Sequence, residues 1–228
     1  MKETKITSAK ELFEILLSMR DELAWVFRGQ RDAQWSLLPK AGRPDFVSKF
    51  SKGLSENLTF ESWKRYAVHF LQQQHHYPMD EWDWLVLAQH HGLATRLLDW
   101  TKNPLNAAFF AVAKNGTDAC ALFAFEIRKK LIVEKNEGPF EIPADEMRVY
   151  RPRGLSPRIV SQRGMFTITG TPDKPLEEII DDRLHKFIIP ADAADDIRKT
   201  LLFFGINEMS IYQDLDHLSA TLNDFVLS

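Results

Sequence analysis

The sequence contains few of the residues and patterns that assign a chain to a class at once. Among its 228 residues there is one cysteine, Cys120, so the chain cannot form a disulfide within itself. Cys120 lies in the apolar run 119–125, where we expect a core thiol with a raised pKa. No apolar stretch approaches the ~18 residues of a membrane span, and no basic-then-apolar leader opens the chain. We therefore expect a protein of the reducing cytoplasm with no membrane partner.

The signatures of common catalytic and cofactor sites are also missing. The sequence has no GxGxxG or Walker phosphate loop, no GxSxG nucleophile elbow, and no HExxH or CxxC zinc motif. Four of the seven histidines form the pairs 75–76 and 90–91, and neighbours on a helix point about 100° apart, so neither pair makes a bidentate metal site. We expect no metal centre. His91, beside Gly92, is instead a candidate hydrogen-bonding partner for a ligand near Arg96.

The charge balance argues against a nucleic-acid-binding protein in general, but one segment differs from the rest. The net charge is −3, and 44% hydrophobic and 11% aromatic residues indicate an ordered globular chain. Between Met147 and Pro172 no acidic residue occurs, yet five arginines do: Arg148, Arg151, Arg153, Arg158 and Arg163. This segment is either a solvated loop or a surface for phosphate contacts, because arginine suits both bidentate phosphate binding and stacking. Nucleic-acid contact through it is the weaker hypothesis, since the chain as a whole is acidic.

The periodicity of apolar residues predicts an α+β protein with a single domain over residues 1–228. Helices are expected from a capping box at Ser8, over about 60–75 and 81–91, from Asn103 with Pro104 at its first position, and over 192–204 and 207–222. Strands are expected at 24–28, 119–127, 165–169 and 184–189. The helices come in groups and do not alternate regularly with the strands, which excludes a regular α/β repeat.

Two polar stretches in apolar surroundings are the candidates for a site. In the first, Trp25-Val-Phe-Arg-Gly-Gln30, Arg28 ends an apolar strand, so its guanidinium needs a carboxylate, phosphate or carbonyl partner. The second is a turn over 95–101 that contains Thr95, Arg96, Asp99, Trp100 and Thr101. We expect Arg28 in a cleft within reach of Asp99 or Thr101, with the helix capped by Asn103 offering its N-terminus to a ligand phosphate. The alternative is a structural arginine–aspartate pair with capping threonines.

Phe27-Arg28-Gly29, together with the segment QHHGLATRLLDWTKNPLNAAFFA at 89–111, resembles the FRG domain, a bacterial and phage-associated family named for that motif. The later blocks 157–167 and 205–217 are similar to the family as well. The resemblance covers about residues 20–220, and it implies no particular activity by itself.

A more distant similarity suggests chemistry. Three features of the sequence resemble the three-part signature of ADP-ribosyltransferases. They are an arginine on an early strand, a hydroxyl-bearing turn before an alanine-rich helix, and a later strand with a Gln or Glu. The resemblance implies a small mixed or antiparallel sheet surrounded by helices, in which Arg28 orients NAD, Thr101 supports the pocket and Gln162 takes the third place. The strand of Gln162 should then lie beside that of Arg28. Glutamine cannot supply the negative charge that an oxocarbenium-like transition state needs. Either Gln162 orients a ribose hydroxyl, or a different acid serves, or catalysis is absent.

These patterns lead us to expect an NAD-handling, ADP-ribosyltransferase-like enzyme that acts as a bacterial toxin or anti-phage defence effector on a protein or nucleic-acid acceptor. The alternative is a non-catalytic module that binds a nucleotide or a phosphorylated partner. The expected catalytic residues are Arg28, Thr101 and Gln162. The expected NAD-binding residues are Arg28, Gly29, Gln30, His91, Thr95, Arg96, Asp99, Trp100 and Arg158.

Overall fold

A computed structural model describes residues 1–21, 24–50, 55–71, 78–113, 118–134, 136–154, 160–180 and 183–227 of the chain. Among the residues singled out from the sequence, Arg158 and the pair 75–76 lie outside these ranges. No helix within the described ranges combines the length and the apolarity that crossing a membrane requires.

The centre of the protein is a mixed sheet, in which seven strands are present among the described residues. The strands are β1 (Lys2–Lys5), β2 (Trp25–Gln30), β3 (Leu97–Thr101), β4 (Cys120–Glu126), β5 (Met147–Tyr150), β6 (Gly164–Thr169) and β7 (Leu184–Ile189). Their order is β1-β7-β4-β2-β3-β6-β5, with β1 and β7 parallel and all other neighbours antiparallel. The α+β single-domain prediction is therefore confirmed.

The helices begin and end at residues whose chemistry explains their bounds. They are α1 (Ala9–Ser18), α2 (Pro44–Phe50), α3 (Glu56–Leu71), α4 (Glu81–His90), α5 (Pro104–Val112), α6 (Ala191–Phe203), α7 (Glu208–Tyr212) and α8 (Leu215–Leu227). The Ser8 hydroxyl accepts from the Glu11 amide at 3.2 Å, and the Asn103 side chain accepts from the Leu105 amide at 3.0 Å. Gly92 follows α4 with a φ of 89°, a left-handed conformation that glycine adopts without strain.

Two separate groups of helices cover the same face of the sheet. Phe27 pairs with Thr101, and residues directly opposite each other point to the same face, so Phe27 and Leu97 share that face. Phe27 packs in a cluster with α1, α5 and α6, whereas Leu97 packs with α3 and α4. The other face is covered by a third cluster that includes Val26, Trp100 and Met165. The boundary between the two helix groups runs over β2 and β3.

Several predicted elements differ from the structure. The stretch 97–101 is a central strand and not a turn. Four of its five residues are buried, so the sequence lacks the alternation of apolar and polar residues that predicts a strand with one exposed face. Strands β1 and β5 were not predicted. The expected helix over 207–222 is divided into α7 and α8, since Gln213 adopts a left-handed conformation with a φ of 54°. The expectation that β6 lies beside β2 is wrong, because β3 lies between them.

Candidate functional site

The candidate site forms where the two central strands separate. β2 pairs with β4 along its whole length, and β3 does so with β6, but β2 and β3 pair at Phe27–Thr101 alone. Beyond this pair the Arg28 guanidinium bridges the two strands, because its Nη1 donates to the Asp99 carbonyl oxygen at 2.8 Å. A side chain thus takes the place of the next backbone hydrogen bond of the sheet.

A cleft lies at this separation and consists of two adjoining hollows of about 290 and 940 Å³. Both are lined by Arg28, Arg43, Asp99, Trp100 and Gln162, so these residues form the junction between the hollows. Small-molecule sites commonly have volumes of about 300–1,000 Å³. The cleft therefore has room for a ligand as large as a dinucleotide.

The Arg28 guanidinium is held in the cleft with little compensating charge. Its side chain is 16% exposed, its Nη1 is 3.8 Å from Asp99 Oδ2, and its Nε donates to Gln30 Oε1 at 3.4 Å. Burial lowers the pKa of Arg28 from its ordinary value, the Asp99 carboxylate opposes that effect, and the neighbouring Arg43 cation adds to it. Arginine stays protonated through such a shift. The junction therefore presents positive charge that a ligand anion would stabilise.

The Asp99 carboxylate is fixed by a chain of hydrogen bonds that begins at a buried threonine. The Thr95 hydroxyl donates to Gln89 Oε1, which leaves Gln89 Nε2 to donate to Asp99 Oδ1 at 2.8 Å. Thr95 is buried and does not line the cleft, whereas Asp99 is 66% exposed on its side chain. Thr95 therefore positions Asp99 through Gln89 and does not touch a ligand itself.

Thr101 lines the wider hollow, and its hydroxyl also holds the chain segments on both sides of it. Its buried hydroxyl donates to the Gln162 carbonyl oxygen and accepts from the Asn103 amide at 2.9 Å. The helix that follows lines the wider hollow with its flank, through Ala107 and Phe110, as does Ala113 just after it, and residues 103–105 are not part of the lining. The N-terminus of α5 is thus not where the sequence analysis expected it relative to the cleft.

Gln162 is the polar group in the cleft that most clearly lacks a partner. Its Nε2 is buried and has no hydrogen bond within the part of the chain that the structure describes. A buried amide that makes no hydrogen bond is costly, and such an atom in a cleft indicates a missing acceptor. Although β3 separates its strand from β2, Gln162 lines both hollows together with Arg28.

Gly29 and Gln30 shape the cleft wall. A Cβ on Gly29 would lie 2.0 Å from the Ala107 carbonyl oxygen, so only glycine lets α5 pack against β2 this closely. Gln30 is buried and its Nε2 donates to the Trp35 carbonyl oxygen at 2.8 Å. Trp100 forms part of the cleft floor, with its indole Nε1 bonded to Thr167 Oγ1 at 2.9 Å.

Arg96 and His91 lie away from the two hollows. The Arg96 amide donates to Glu56 Oε1 at 2.8 Å, its guanidinium binds Glu56 Oε2 through Nε at 2.9 Å, and it lies 4.7 Å from the Phe140 ring centroid. Arg96 is thus a structural residue that ties β3 to α3. His91 is exposed and stacks on Trp63, with the ring centroids 6.5 Å apart, while its neighbour His90 lines the narrower hollow.

The residues that line the cleft and were missed from the sequence include Trp35, Lys40, Arg43, Glu208 and Tyr212. The first three lie in an irregular segment that is tied to the chain before β3, because the Ala41 amide donates to the Thr95 carbonyl at 3.1 Å and Lys40 Nζ to the Gly92 carbonyl at 2.8 Å. The sequence signal that could have indicated these three residues is one of composition. An aromatic residue and two cationic residues occur together in a loop that contains glycine and proline.

Metal binding finds no support in the side chains that the structure describes. Within those ranges no group of three or more His, Cys, Asp or Glu side chains lies close enough together to hold an ion. The chemistry of the cleft is therefore argued from its cations, amides, carboxylates and aromatic rings.

The family model of the FRG domain matches residues 23–120 of the chain. The match includes β2 with Phe27-Arg28-Gly29, as well as α4, β3 and α5, and so contains most of the residues at the cleft junction. No curated protein and no solved structure is significantly similar to the chain.

Proposed function

We propose that this FRG-domain protein binds NAD in the cleft and transfers ADP-ribose from it to an acceptor. The observation that carries the proposal is the desolvated Arg28 guanidinium at the junction of two hollows, beside an unpaired Gln162 amide. The proposal has two parts, the binding of a phosphate-bearing nucleotide and the breaking of its glycosidic bond.

Phosphate binding follows from the cations at the junction. Arg28 has one carboxylate neighbour at 3.8 Å, and Arg43, which is exposed, makes no ion pair within the described residues. A guanidinium binds two phosphate oxygens at once, and two guanidinium groups suit a pyrophosphate. Lys40 lines the narrower hollow and adds a third cation.

NAD fits the remaining polar groups. Its carboxamide and ribose hydroxyls both donate and accept, and either could accept a hydrogen bond from Gln162 Nε2, which has no other partner within the described ranges. The wider hollow, at about 940 Å³, lies at the upper end of small-ligand sites, as a dinucleotide requires.

The transfer breaks the bond between the ribose C1′ and the nicotinamide nitrogen. The bonding electron pair leaves with nicotinamide, positive charge develops at C1′, and the acceptor's nucleophile bonds to C1′ as it loses its proton to a carboxylate or water. Because residue 162 is glutamine, the stabilising negative charge must come from elsewhere in the cleft. Asp45, Asp99 and Glu208 line the wider hollow, and Asp99 is held in place by Gln89, so we assign this role to Asp99. In this proposal the acceptor is a protein or nucleic acid, and the chain acts as a toxin or phage-defence effector.

The test is incubation of the purified protein with NAD, with nicotinamide release measured by chromatography and binding measured by calorimetry. Arg28→Ala should weaken binding about ten- to hundredfold, since a hydrogen bond to a charged group contributes roughly 1.5–3 kcal/mol. Gln162→Ala should reduce turnover more than affinity if its amide contacts the reacting ribose. Arg65→Ala, on the exposed face of α3, is the matched control and should change neither. A folded wild-type protein that neither binds NAD nor releases nicotinamide would refute the proposal.

The second candidate function is a non-catalytic module for a nucleotide or a phosphorylated partner. The glutamine at position 162 favours this function, because an amide suits the binding of a ligand, whereas catalysis would require the negative charge of a carboxylate. Binding of NAD that depends on Arg28, with no nicotinamide released in the presence of cell extract as a source of acceptors, would establish this second function instead.

A further inference from the structure

The wall of the wider hollow carries a large aromatic side chain that nothing described so far uses. Trp35 lies in the segment between β2 and the turn at residues 40–42, lines the wider hollow, and is 50% exposed. Trp35 therefore presents a broad π surface to the space beside Arg28.

The backbone on both sides of Trp35 is held firmly, although the segment has no regular secondary structure. The Trp35 carbonyl accepts from the buried Gln30 amide at 2.8 Å, and the Ala33 amide donates to the Ala119 carbonyl at 2.8 Å. The Leu37 amide donates to the Glu177 carboxylate at 3.0 Å. A fixed backbone lowers the entropy that is lost when the side chain binds a ligand, so the attachment point of the indole beside the hollow is preorganised.

The hollow is cationic at one end and aromatic along its walls. Phe110 and Tyr212 line the same hollow as Trp35, and the Arg31 guanidinium lies 6.0 Å from the Trp35 ring centroid. Arg28 and Arg43 form the cationic end at the junction. A ligand that satisfies both ends carries phosphate and a flat aromatic ring, which is the chemistry of a nucleotide.

We infer that Trp35 is the stacking platform for the nucleobase of the ligand whose phosphates bind at Arg28 and Arg43. The inference rests on the proposed binding of a nucleotide and adds to it the place and the chemical basis of base recognition. Stacking on an aromatic side chain is tolerant of base identity, because every base has a π face. The hollow should thus bind several nucleotides through Trp35 and distinguish them weakly.

The experiment compares three ligands by calorimetry on the full chain: NAD, ADP, and inorganic pyrophosphate, which has no base. Trp35→Ala should weaken the binding of NAD and ADP by about ten- to hundredfold, the range that stacking of one base contributes, and leave pyrophosphate binding unchanged. Trp35→Phe keeps an aromatic ring and should retain affinity within about threefold. Tyr66→Ala removes an exposed aromatic ring from α3, away from the cleft, and is the matched control. The melting temperature of each variant shows that it is folded.

The outcomes separate this inference from the proposed function. An equal loss of all three ligands in Trp35→Ala, or no loss of any, would overturn the stacking platform while Arg28-dependent binding remained. If the wild-type protein binds none of the three, the proposed function itself fails, and the platform fails with it. Selective loss of the two base-containing ligands supports both.

Discussion

Replacing Gly29 by alanine tests whether the glycine of the Phe27-Arg28-Gly29 motif is required by packing. An added Cβ would lie 2.0 Å from the Ala107 carbonyl oxygen and 2.5 Å from the Ala111 amide nitrogen. Ordinary contact begins at 3.4 Å, so α5 would have to retreat by at least about 1.4 Å. Both atoms belong to the backbone of the helix, so no side chain can rotate away to make room.

The expected cost follows from the kind of movement required. Overpacking a core costs about 1–3 kcal/mol, and a rigid shift of a whole helix belongs at the upper end, about 3 kcal/mol. The buried face of α5 includes Ala108 and Val112, which would lose contacts in the cluster with α1 and α6. With a urea dependence of about 2–3 kcal/mol per molar, the unfolding midpoint should fall by about 1 M. The movement would also displace the cleft wall formed by Ala107 and Phe110, so NAD binding should weaken.

Gly205→Ala is the control, because it adds the same atom where space is free. Gly205 has a φ of 76°, and apart from its chain neighbours no atom of the residues that the structure describes lies within 4 Å of an added Cβ, so alanine there is strained only through the backbone, by about 1–2 kcal/mol. Urea unfolding followed by circular dichroism compares the two variants. If Gly29→Ala unfolds at the wild-type urea concentration, or later than Gly205→Ala, the argument that Gly29 is required by helix packing is wrong.

Three further predictions test other parts of the structure. Glu56→Gln removes the carboxylate that holds the Arg96 guanidinium and should lower the free energy of unfolding by about 3 kcal/mol, as measured by thermal unfolding. Glu61→Gln, at a more exposed ion pair, should lower it by less than about 1 kcal/mol. Burial raises the pKa of Cys120 to about 11, so at pH 8 a thiol reagent should label the folded protein slowly and the urea-unfolded protein quickly; rapid labelling of the folded state would contradict this. Thr95→Val frees Gln89 to rotate and so loosens Asp99; turnover of NAD should fall more than its affinity, and equal changes in both would argue against a positioning role.

The elements that could be predicted from the sequence are those whose signals are local. β4 is a continuous apolar run, and α5 begins at an Asn-Pro pair, so both were placed to within a residue or two. The polar residues Thr95, Arg96 and Asp99 favour a turn where the structure has β3. Arg96 is nevertheless nearly buried, because its guanidinium pairs with the Glu56 carboxylate. Glu56 lies forty residues earlier in the chain, so no local pattern reveals the pair.

The candidate site was predicted in part for the same reason. Arg28 and Asp99 could be linked because an arginine in an apolar strand needs a partner, and the structure brings them together. Arg96 is expected at a ligand because it belongs to the polar stretch 95–101, and His91 because it lies beside Gly92 and near Arg96 in sequence, but neither side chain lines the cleft. Trp35 and Arg43 could not be assigned, because the irregular segment that carries them is positioned by backbone hydrogen bonds to distant residues.

The single residue pair between β2 and β3 has a consequence for the motions of the protein. Local opening takes place where few hydrogen bonds hold neighbouring segments, and at the middle of this sheet Phe27–Thr101 is the one backbone pair of the ladder. The Asp99 amide hydrogen, which points toward β2 beyond that pair, is therefore expected to exchange with solvent faster than the amides of β4, although both strands are central. A ligand bound to Arg28 and Asp99 would join the two halves of the sheet and slow that exchange on both strands at once. The separation of β2 and β3 that admits a ligand is therefore also the place where ligand binding would rigidify the molecule.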